Sequence, residues 1–239
     1  MGPFVLVHGA WHDSSAFLET SKILKKKGFS VYTPTIFGNR HGDPKSTGLH
    51  EAISSIESFI LERDLNNLIL CGHSYGGMII TGVADKLENR IKRLVYWNAF
   101  VPNNGECLED MVSTAFVDLL DELTEPDGSF KLPFDIWREH FINDASYGMA
   151  VETYKSLNAH PRKTFSDPIR LRKNPSEFKI GKSFINCLED TALPQSEGWH
   201  PRLSEKLGFF RLIQVSGSHE ICYTNPEKLS QAILEAGRD

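Results

Sequence analysis

Short apolar runs along the chain alternate with segments in which apolar residues recur every three or four positions. The runs are rich in β-branched and aromatic residues, as buried strands are, and the segments between them are typical of helices. The nearly continuous hydrophobicity of the predicted strands, and their alternation with helices, predict an α/β fold: an open, mostly parallel six-stranded sheet with helices on both faces. The predicted strands are residues 4–7 (FVLV), 29–34 (FSVYTP), 67–71 (NLILC), 93–98 (RLVYWN), 183–188 (SFINCL) and 209–215 (FFRLIQV).

Helical periodicity is clear in two segments between the first three strands. Further helices are predicted from Tyr75 to about Asn89 and in the segment NPEKLSQAILEAG, which starts at Asn225. The positions that define the first two faces are Phe17, Thr20, Ile23, Leu24 and Lys27, and then Leu49, Ile53, Ile56 and Ile60.

The alternation stops between residues 102 and 180, which predicts an insertion into a core formed by residues 1–101 and 181–239. The insertion carries more large apolar side chains than a flexible linker would. We predict that residues 102–180 form a helical lid whose inner face lines a binding pocket. A helical subdomain packed on its own small core is the other interpretation, and the two are compatible. The side chains are Phe116, Phe134, Trp137, Phe141, Tyr147, Met149, Tyr154 and Phe165.

Composition narrows the classes of protein further. The chain has 239 residues, of which 40% are hydrophobic and 24% charged, the balance of an ordinary globular protein. A net charge of −5 with scattered Lys and Arg gives no reason to bind nucleic acid, and no apolar run is long enough to cross a membrane. The first predicted strand starts at residue 4, which leaves no room for a signal peptide, so we predict a cytoplasmic location.

The four cysteines are far apart and form no CxxC pair, so neither a zinc site nor a redox pair is indicated. We expect them to be buried as small apolar side chains. They are Cys71, Cys107, Cys187 and Cys222.

The stretch CGHSYGG places Ser74 between a predicted strand and a predicted helix, within the pattern G-x-S-x-G. That pattern is common by chance, but the strand-turn-helix context is the one in which a serine becomes an exposed nucleophile. We expect Gly72 and Gly76 to be glycines because other side chains would collide with the neighbouring strand and helix. The alternative is a glycine-rich turn that carries an incidental serine.

A serine hydroxyl needs a base to become a nucleophile at neutral pH, and nine histidines compete for that role. His219 is the best candidate, because VSGSHE directly follows the last predicted strand and so lies at the carboxyl edge of the sheet, as Ser74 does. His73 is adjacent to the serine, but its side chain points elsewhere in such a turn. His8 and His12 lie in the loop after the first strand.

For the acid that orients the base, Asp190 lies on the loop after the fifth predicted strand, at the same edge. The chain order Ser, Asp, His is the one expected for this architecture. Glu189 is the alternative, although it would point the other way from a strand end. The other usual place for the acid, after the preceding strand, holds Asn98, and the nearest carboxylates beyond it are Glu106 and Asp110.

An attacked carbonyl oxygen becomes negatively charged and must be met by donors already in place. Tyr75 supplies one backbone N–H at the start of a helix. The second is expected from the loop after the first strand, where HGAW places the small residue Ala10 just after Gly9. A simple strand-ending turn is the alternative explanation of that loop.

With these residues identified, the sequence resembles the α/β-hydrolases, and within them the small esterases related to plant methylesterases and hydroxynitrile lyases. The similarity is closest to bacterial esterase-like members. The resemblance implies the α/β-hydrolase fold with Ser74 as nucleophile, His219 as base, Asp190 as acid and the amides of Ala10 and Tyr75 as oxyanion hole. It rests on FVLVHGAWH, GHSYGGMIITGVAD, RLVYWNAFVPNNGE, LEDTALP, GSHEICYTNPEKL and, in the insertion, FINDAS and HPRKTFSDPIRL.

The sequence also departs from parts of this group. Hydroxynitrile lyases of the group have a lysine directly after the catalytic histidine and a threonine in the first loop, where this chain has Glu220 and Ala10. Cleavage of cyanohydrins is therefore not expected. Bacterial relatives often have Asp where this chain has Asn98, which leaves Asp190 with less competition for the acid role.

Together these residues predict a serine hydrolase that cleaves small to medium, mostly apolar carboxylic esters without a metal or organic cofactor. Hydrolysis of a lactone or thioester, or a lyase reaction, on the same triad is an alternative. A ligand-binding receptor with slow or no turnover is another. The expected partner is a small-molecule ester, with the chain a monomer or homodimer. The residues predicted to contact substrate are Trp11, His12, Trp137 and Phe141.

Overall fold

The computed structural model describes residues 2–239, and its centre is a sheet of six parallel strands in the order β2-β1-β3-β4-β7-β8. Two further short strands, β5 and β6, pair with each other in antiparallel fashion in the insertion. The strands are β1 (Phe4–Val7), β2 (Val31–Tyr32), β3 (Leu68–His73), β4 (Ile91–Trp97), β5 (Ser129–Phe130), β6 (His160–Pro161), β7 (Gly181–Cys187) and β8 (Arg211–Val215).

All six strands predicted from the hydrophobic runs are present, so the predicted parallel sheet is confirmed. The second one is shorter than its apolar run, since only Val31–Tyr32 pairs with β1. β1 lies between β2 and β3, so the chain moves outward on one side of β1 and then crosses to build the other side. Ligands of open α/β sheets bind at such a switch point, outside the carboxyl ends of the strands.

Four helices cover the two faces of the sheet, as the periodicity predicts, and shorter ones occupy the insertion. Asn225 caps the last long helix, because its side chain accepts a hydrogen bond from the Lys228 amide and Pro226 follows it at the first helical position. The helices are α1 (Leu18–Lys26), α2 (Leu49–Glu62), α3 (Gly76–Leu87), α4 (Thr114–Glu122), α5 (Phe134–Ile136), α6 (Tyr147–Lys155), α7 (Lys163–Ser166), α8 (Ile221–Thr224) and α9 (Pro226–Gly237); the π-helical turn Trp137–Phe141 extends α5.

The strands look continuously apolar because both of their faces are covered. On one face Val5, Leu70 and Tyr96 pack in the same cluster as α2 and α3, whereas on the other Leu6 and Ile69 pack with α1 and α9. Consecutive strand residues point to opposite faces, so each residue of a run enters one of the two layers. Because these strands are parallel, the carboxyl ends of β1, β3, β7 and β8 lie at one edge of the sheet.

Three of the four cysteines are buried as expected, and Cys107 is half-exposed. All four are free thiols.

The insertion between β4 and β7 lies over the carboxyl edge of the sheet. Its large side chains Phe130, Trp137 and Phe165 belong to the same buried cluster as Ala10 and Tyr75, which follow β1 and β3. The packing is therefore continuous from the sheet into the insertion. Within residues 2–239, no helix has the length and hydrophobicity that crossing a membrane requires.

Candidate active site

Ser74 lies directly between β3 and α3, on a turn with left-handed backbone geometry (φ +53°). Such a conformation is unfavourable for a residue with a side chain and persists only where the surroundings hold it. The Ser74 amide donates to the Trp97 carbonyl at 3.2 Å. The Ser74 carbonyl accepts from the amides of Gly77 and Phe100 at 3.0 and 3.2 Å. These bonds fix the serine between the ends of β3 and β4.

Glycines allow this turn because the backbone packs too closely for a Cβ atom. A Cβ on Gly72 would lie 2.6 Å from the Gly76 carbonyl oxygen, and one on Gly76 would lie 2.7 Å from that of Val7. The predicted reason for these two glycines is thus confirmed. Gly77 is tighter still, with 2.1 Å between its added Cβ and the carbonyl oxygen of Phe100.

His219 and Asp190 meet at the same edge, on the loops after β8 and β7. His219 Nδ1 lies 2.6 Å from Asp190 Oδ2, and both side chains are about 1% exposed. Asp190 Oδ1 accepts from the Ala192 amide at 2.8 Å. Because the carboxylate binds Nδ1, Nδ1 carries the proton and Nε2 is the ring nitrogen left to accept one from a hydroxyl. Glu189, the alternative acid, instead accepts a hydrogen bond from the Gly217 amide.

Asn98 holds the carboxylate of Asp190 from the end of β4. Its Nδ2 donates to Asp190 Oδ2, and its Oδ1 accepts from the Cys187 amide at 2.8 Å. The residue is fully buried and has a left-handed backbone (φ +36°). Sequence reasoning considered this position only as an alternative place for the acid. The structure makes it a donor that orients Asp190.

The imidazole of His219 is enclosed by aromatic rings. Trp199 stacks on it at 5.2 Å between ring centroids and 20° between planes, and Phe141 meets it edge-on at 5.4 Å. Burial lowers the pKa of His219, but the charge of Asp190 and its hydrogen bond, followed by the charge of Glu220, raise that pKa above its ordinary value. Trp199 was not identified from the sequence, since it lies in an irregular loop without a motif.

The two competing histidines near the serine have other partners. His73 stacks on Trp97 at 3.9 Å, and its Nε2 donates to the His219 carbonyl at 3.1 Å. Burial holds the pKa of His73 well below its ordinary value. His8 accepts a hydrogen bond from the Ile36 amide at Nε2, and burial lowers its pKa to about 4. Both are therefore neutral rings that support the loops around them.

Ala10, Tyr75 and Ser74 line one cavity, at the ends of β1 and β3. The Tyr75 amide precedes the hydrogen-bonded ladder of α3, so it has no partner within that helix. Trp11 beside Ala10 has a left-handed backbone (φ +63°), and its carbonyl accepts from the Asn158 amide of the insertion at 2.7 Å. The insertion thereby helps to shape the loop that carries Ala10.

The free volume of this cavity is about 20 Å³, roughly the space of one water molecule. Its wall is apolar apart from Ser74, and consists of Ala10, Trp11, Tyr75, Phe100, Leu108, Phe116, Phe141, Phe165, Ala192, Leu193 and Trp199. A wider groove of about 400 Å³ lies next to it. Four residues line both spaces and form the partition between them: Phe116, Phe141, Ala192 and Leu193.

Of the four predicted substrate contacts, Trp11 and Phe141 line the cavity, and Trp137 and His12 do not. Trp137 is completely buried behind Phe141, whose ring it stacks on at 6.1 Å. His12 is absent from the cavity wall and pairs with Glu220, 2.9 Å from its carboxylate. Both were predicted from their positions in the chain, whereas the packing of side chains decides which residues line the cavity.

His160 is a further residue that sequence reasoning missed. It is fully buried on β6 of the insertion, accepts from Asn39 Nδ2 at 3.1 Å and binds Thr164 Oγ1 at 2.9 Å. Its ring lies 4.8 Å from that of Tyr75 and 6.3 Å from that of Trp11. It therefore connects the insertion to both loops that flank Ser74.

Within the described part of the chain, one group of three potential metal ligands comes together: His73, His219 and Glu220, with one ligand atom of each within 4.8 Å of the others. Hydrogen bonds already engage these side chains. His219 binds Asp190, His73 donates to a carbonyl, and Glu220 accepts from His12. Each of the three side chains therefore has a hydrogen-bonding partner in the protein.

Comparison with known proteins identifies the family and the fold. The model of the alpha/beta hydrolase family matches residues 4–231. A solved structure described as an extracellular alpha/beta-hydrolase from a Paenibacillus species, with homology to tobacco Salicylic Acid Binding Protein 2, is 34% identical and superimposes with a TM-score of 0.96 over 100% of both chains.

Two curated relatives are similar at lower coverage or identity. The carbendazim hydrolyzing esterase of Nocardioides sp. is 42% identical over 118 residues, which span 48% of this chain and 49% of that protein. The pyrethroid hydrolase of Sphingobium wenxiniae is 24% identical over 97% of this chain and 86% of that protein. With the family match spanning nearly the whole chain, the protein belongs to the alpha/beta hydrolase family and is a carboxylic ester hydrolase.

Proposed function

We propose that Ser74, His219 and Asp190 form the catalytic triad of this ester hydrolase. Ser74 Oγ attacks the ester carbonyl while its proton passes to His219 Nε2, and His219 then delivers that proton to the leaving alcohol. A water activated by His219 attacks the resulting acyl-enzyme and releases the acid. The observation that carries the proposal is the His219–Asp190 pair at 2.6 Å, on the sheet edge where Ser74 opens to an apolar cavity.

The backbone amides of Ala10 and Tyr75 are proposed as the oxyanion hole. Both residues line the cavity with Ser74. The Tyr75 amide lies at the N-terminal end of α3, where the helix dipole favours negative charge. Donors held by the backbone need no reorganisation as charge develops on the carbonyl oxygen.

We propose small to medium, mostly apolar esters as substrates. The cavity has room for about one water molecule in this conformation, so its wall must move before an ester can enter. None of the residues that line it is charged, and a neutral ester brings no charge that would have to be desolvated there. The carboxylate product is anionic and finds no cation in this wall, which favours its release. The names of two relatives, a carbendazim hydrolyzing esterase and a pyrethroid hydrolase, support a hydrolytic reaction for this chain.

Residues 102–180 are proposed to act as a lid. Phe116, Phe141 and Phe165 of this segment supply part of the cavity wall, so a substrate must pass beside them to reach Ser74. The cytoplasmic location stays a prediction, and the similar Paenibacillus hydrolase is described as extracellular. A monomer or homodimer likewise stays a prediction.

The test is a panel of chromogenic esters of graded acyl length, with a lactone and a thioester for comparison, together with labelling by a fluorophosphonate. We expect ester turnover and labelling at Ser74, and loss of both in Ser74→Ala. Asp190→Asn should lower kcat by about 10⁴, as in other triads. Glu189→Gln is the control, because glutamine can still accept from the Gly217 amide.

Two results would contradict the assignment. If Ser74→Ala kept the turnover of the wild type, the nucleophile would lie elsewhere. If Glu189→Gln were as slow as Asp190→Asn, the acid role could not be given to Asp190 alone.

A further inference from the structure

A buried pair of ionisable side chains lies beneath the proposed catalytic histidine. Glu220 follows His219 in the chain, and its Oε1 lies 2.9 Å from His12 Nε2. Both side chains are only 2% exposed. Neither of them lines the cavity that contains Ser74. The mechanism above therefore leaves a buried carboxylate unused.

The position of this carboxylate relates it to the base. One oxygen of Glu220, a ring nitrogen of His73 and a ring nitrogen of His219 lie within 4.8 Å of one another. Cys222 Sγ donates to Glu220 Oε2 at 3.5 Å, and the Tyr223 hydroxyl lies 3.4 Å from His12 Nδ1. These groups contact Glu220 and His12, and Asp190 contacts His219.

Of these groups, Glu220 is the one besides Asp190 that carries negative charge. Burial opposes ionisation, but His12, through its charge and hydrogen bond, and then His73 and His219 lower the pKa of Glu220 to about 2. Burial raises the pKa values of Cys222 and Tyr223 well above their ordinary range, so both are neutral. Burial also keeps His73 neutral.

A buried pair of ionisable side chains is seldom retained for stability, since apolar side chains of similar size are often as stabilising or more so. A role in the reaction is more consistent with this location. Attack by Ser74 converts His219 from a neutral ring to a cation, and an anion within a few ångströms favours the cationic form. Asp190 meets the ring at Nδ1, and Glu220 adds a second negative charge from the side of His73 and His12.

We propose that Glu220 is a positioning residue for His219: held by His12, its carboxylate stabilises the imidazolium that forms when Ser74 attacks the ester. The inference rests on the proposed triad. In this role the His12–Glu220 pair acts in the reaction, although Glu220 does not contact the substrate.

The rate of fluorophosphonate labelling at Ser74 between pH 4 and 9 tests this role, because labelling requires the base but no particular ester. In the wild type the rate falls at acidic pH as His219 becomes protonated. In Glu220→Gln we expect this acidic limb to move to lower pH and the plateau rate to fall roughly 3–10-fold, since a weaker base is a poorer catalyst. Glu220→Asp keeps the charge and should keep the limb near its wild-type position.

Glu227→Gln is the matched control, because it removes the same charge from an exposed position on α9. Its limb should not move. An unmoved limb in Glu220→Gln, or equal shifts in Glu220→Gln and Glu227→Gln, would overturn the proposal and leave the triad intact. A wild type that is neither labelled at Ser74 nor active on any ester would instead overturn the proposed function, and this inference with it.

Glu220→Gln leaves His12 buried without its carboxylate partner and could therefore fold poorly. A second variant keeps the proposal testable in that case. The double variant His12→Leu/Glu220→Met removes both members of the pair and therefore leaves no unpaired buried charge. The same displacement of the limb to lower pH is expected there. A folded double variant with the wild-type pH profile would refute a role for Glu220 in supporting His219.

Discussion

The partition between the small cavity and the wide groove predicts how acyl-chain length is selected. Phe116 on α4 lines both spaces and is half-buried. The cavity next to Ser74 has about 20 Å³ of free volume, whereas the groove beyond the partition has about 400 Å³. Phe116→Ala should therefore join them and allow longer chains to extend from Ser74 into the groove.

The magnitude follows from the burial of methylene groups. Each buried methylene contributes about 0.8 kcal/mol, which is about fourfold in kcat/KM. If two or three more methylenes enter the groove, the ratio of kcat/KM for hexanoate over acetate should rise roughly 15–60-fold. The truncation should also lower the free energy of unfolding by about 2 kcal/mol, because complete burial of a phenylalanine is worth about 3–5 kcal/mol and this ring is half-buried.

The assay is hydrolysis of p-nitrophenyl esters from acetate to octanoate by the wild type and two variants. Phe134→Ala is the matched control, since Phe134 is another half-buried phenylalanine of the insertion, packed on Tyr147 and Tyr154 and absent from the walls of both spaces. Its selectivity should equal that of the wild type. An unchanged hexanoate-to-acetate ratio in Phe116→Ala, or the same rise in Phe134→Ala, would refute the partition.

Three other predictions concern the supports of the site. The pKa of His8 falls from 6.5 to about 4 on folding. Between pH 7.5 and 5 the unfolded chain therefore binds a proton at His8 that the folded chain does not bind. The free energy of unfolding should fall by about 2 kcal/mol over that range. In urea titrations, the free energy of unfolding of His8→Gln should fall correspondingly less over that range. A fall identical to that of the wild type would refute the lowered pKa of His8. Gly77→Ala should destabilise by about 1–3 kcal/mol and nearly abolish turnover, because the added methyl would lie 2.1 Å from a carbonyl oxygen. Gly148→Ala, with nothing within 4 Å, should be neutral or stabilising by about 0.5–1 kcal/mol in thermal unfolding, and equal effects of the two would contradict the steric argument. Asn98→Ala removes a donor to Asp190 and strands a buried amide, so we expect a loss of roughly 1–3 kcal/mol in denaturant and a lower kcat, and wild-type values of both would disprove the orienting role.

The sequence by itself determined the sheet and the placement of the chemistry along it. Hydrophobic runs predicted all six strands because residues buried on both faces must be apolar, a local property of each segment. Ser74, Asp190 and His219 could be placed at one edge because parallel strands have their carboxyl ends together. Gly72 and Gly76 were informative because a glycine between a strand and a helix reports close backbone packing.

Only the tertiary structure decided which side chains meet around these loops. Trp199 stacks on His219, Asn98 donates to Asp190, and Glu220 turns down to His12, although these partners are separated by 20 to more than 200 positions in the chain. His12, which is predicted to contact substrate, is absent from the cavity wall and binds Glu220. Periodicity specifies the face of an element, but the direction of a loop side chain depends on contacts with distant segments, which appear only when the chain has packed.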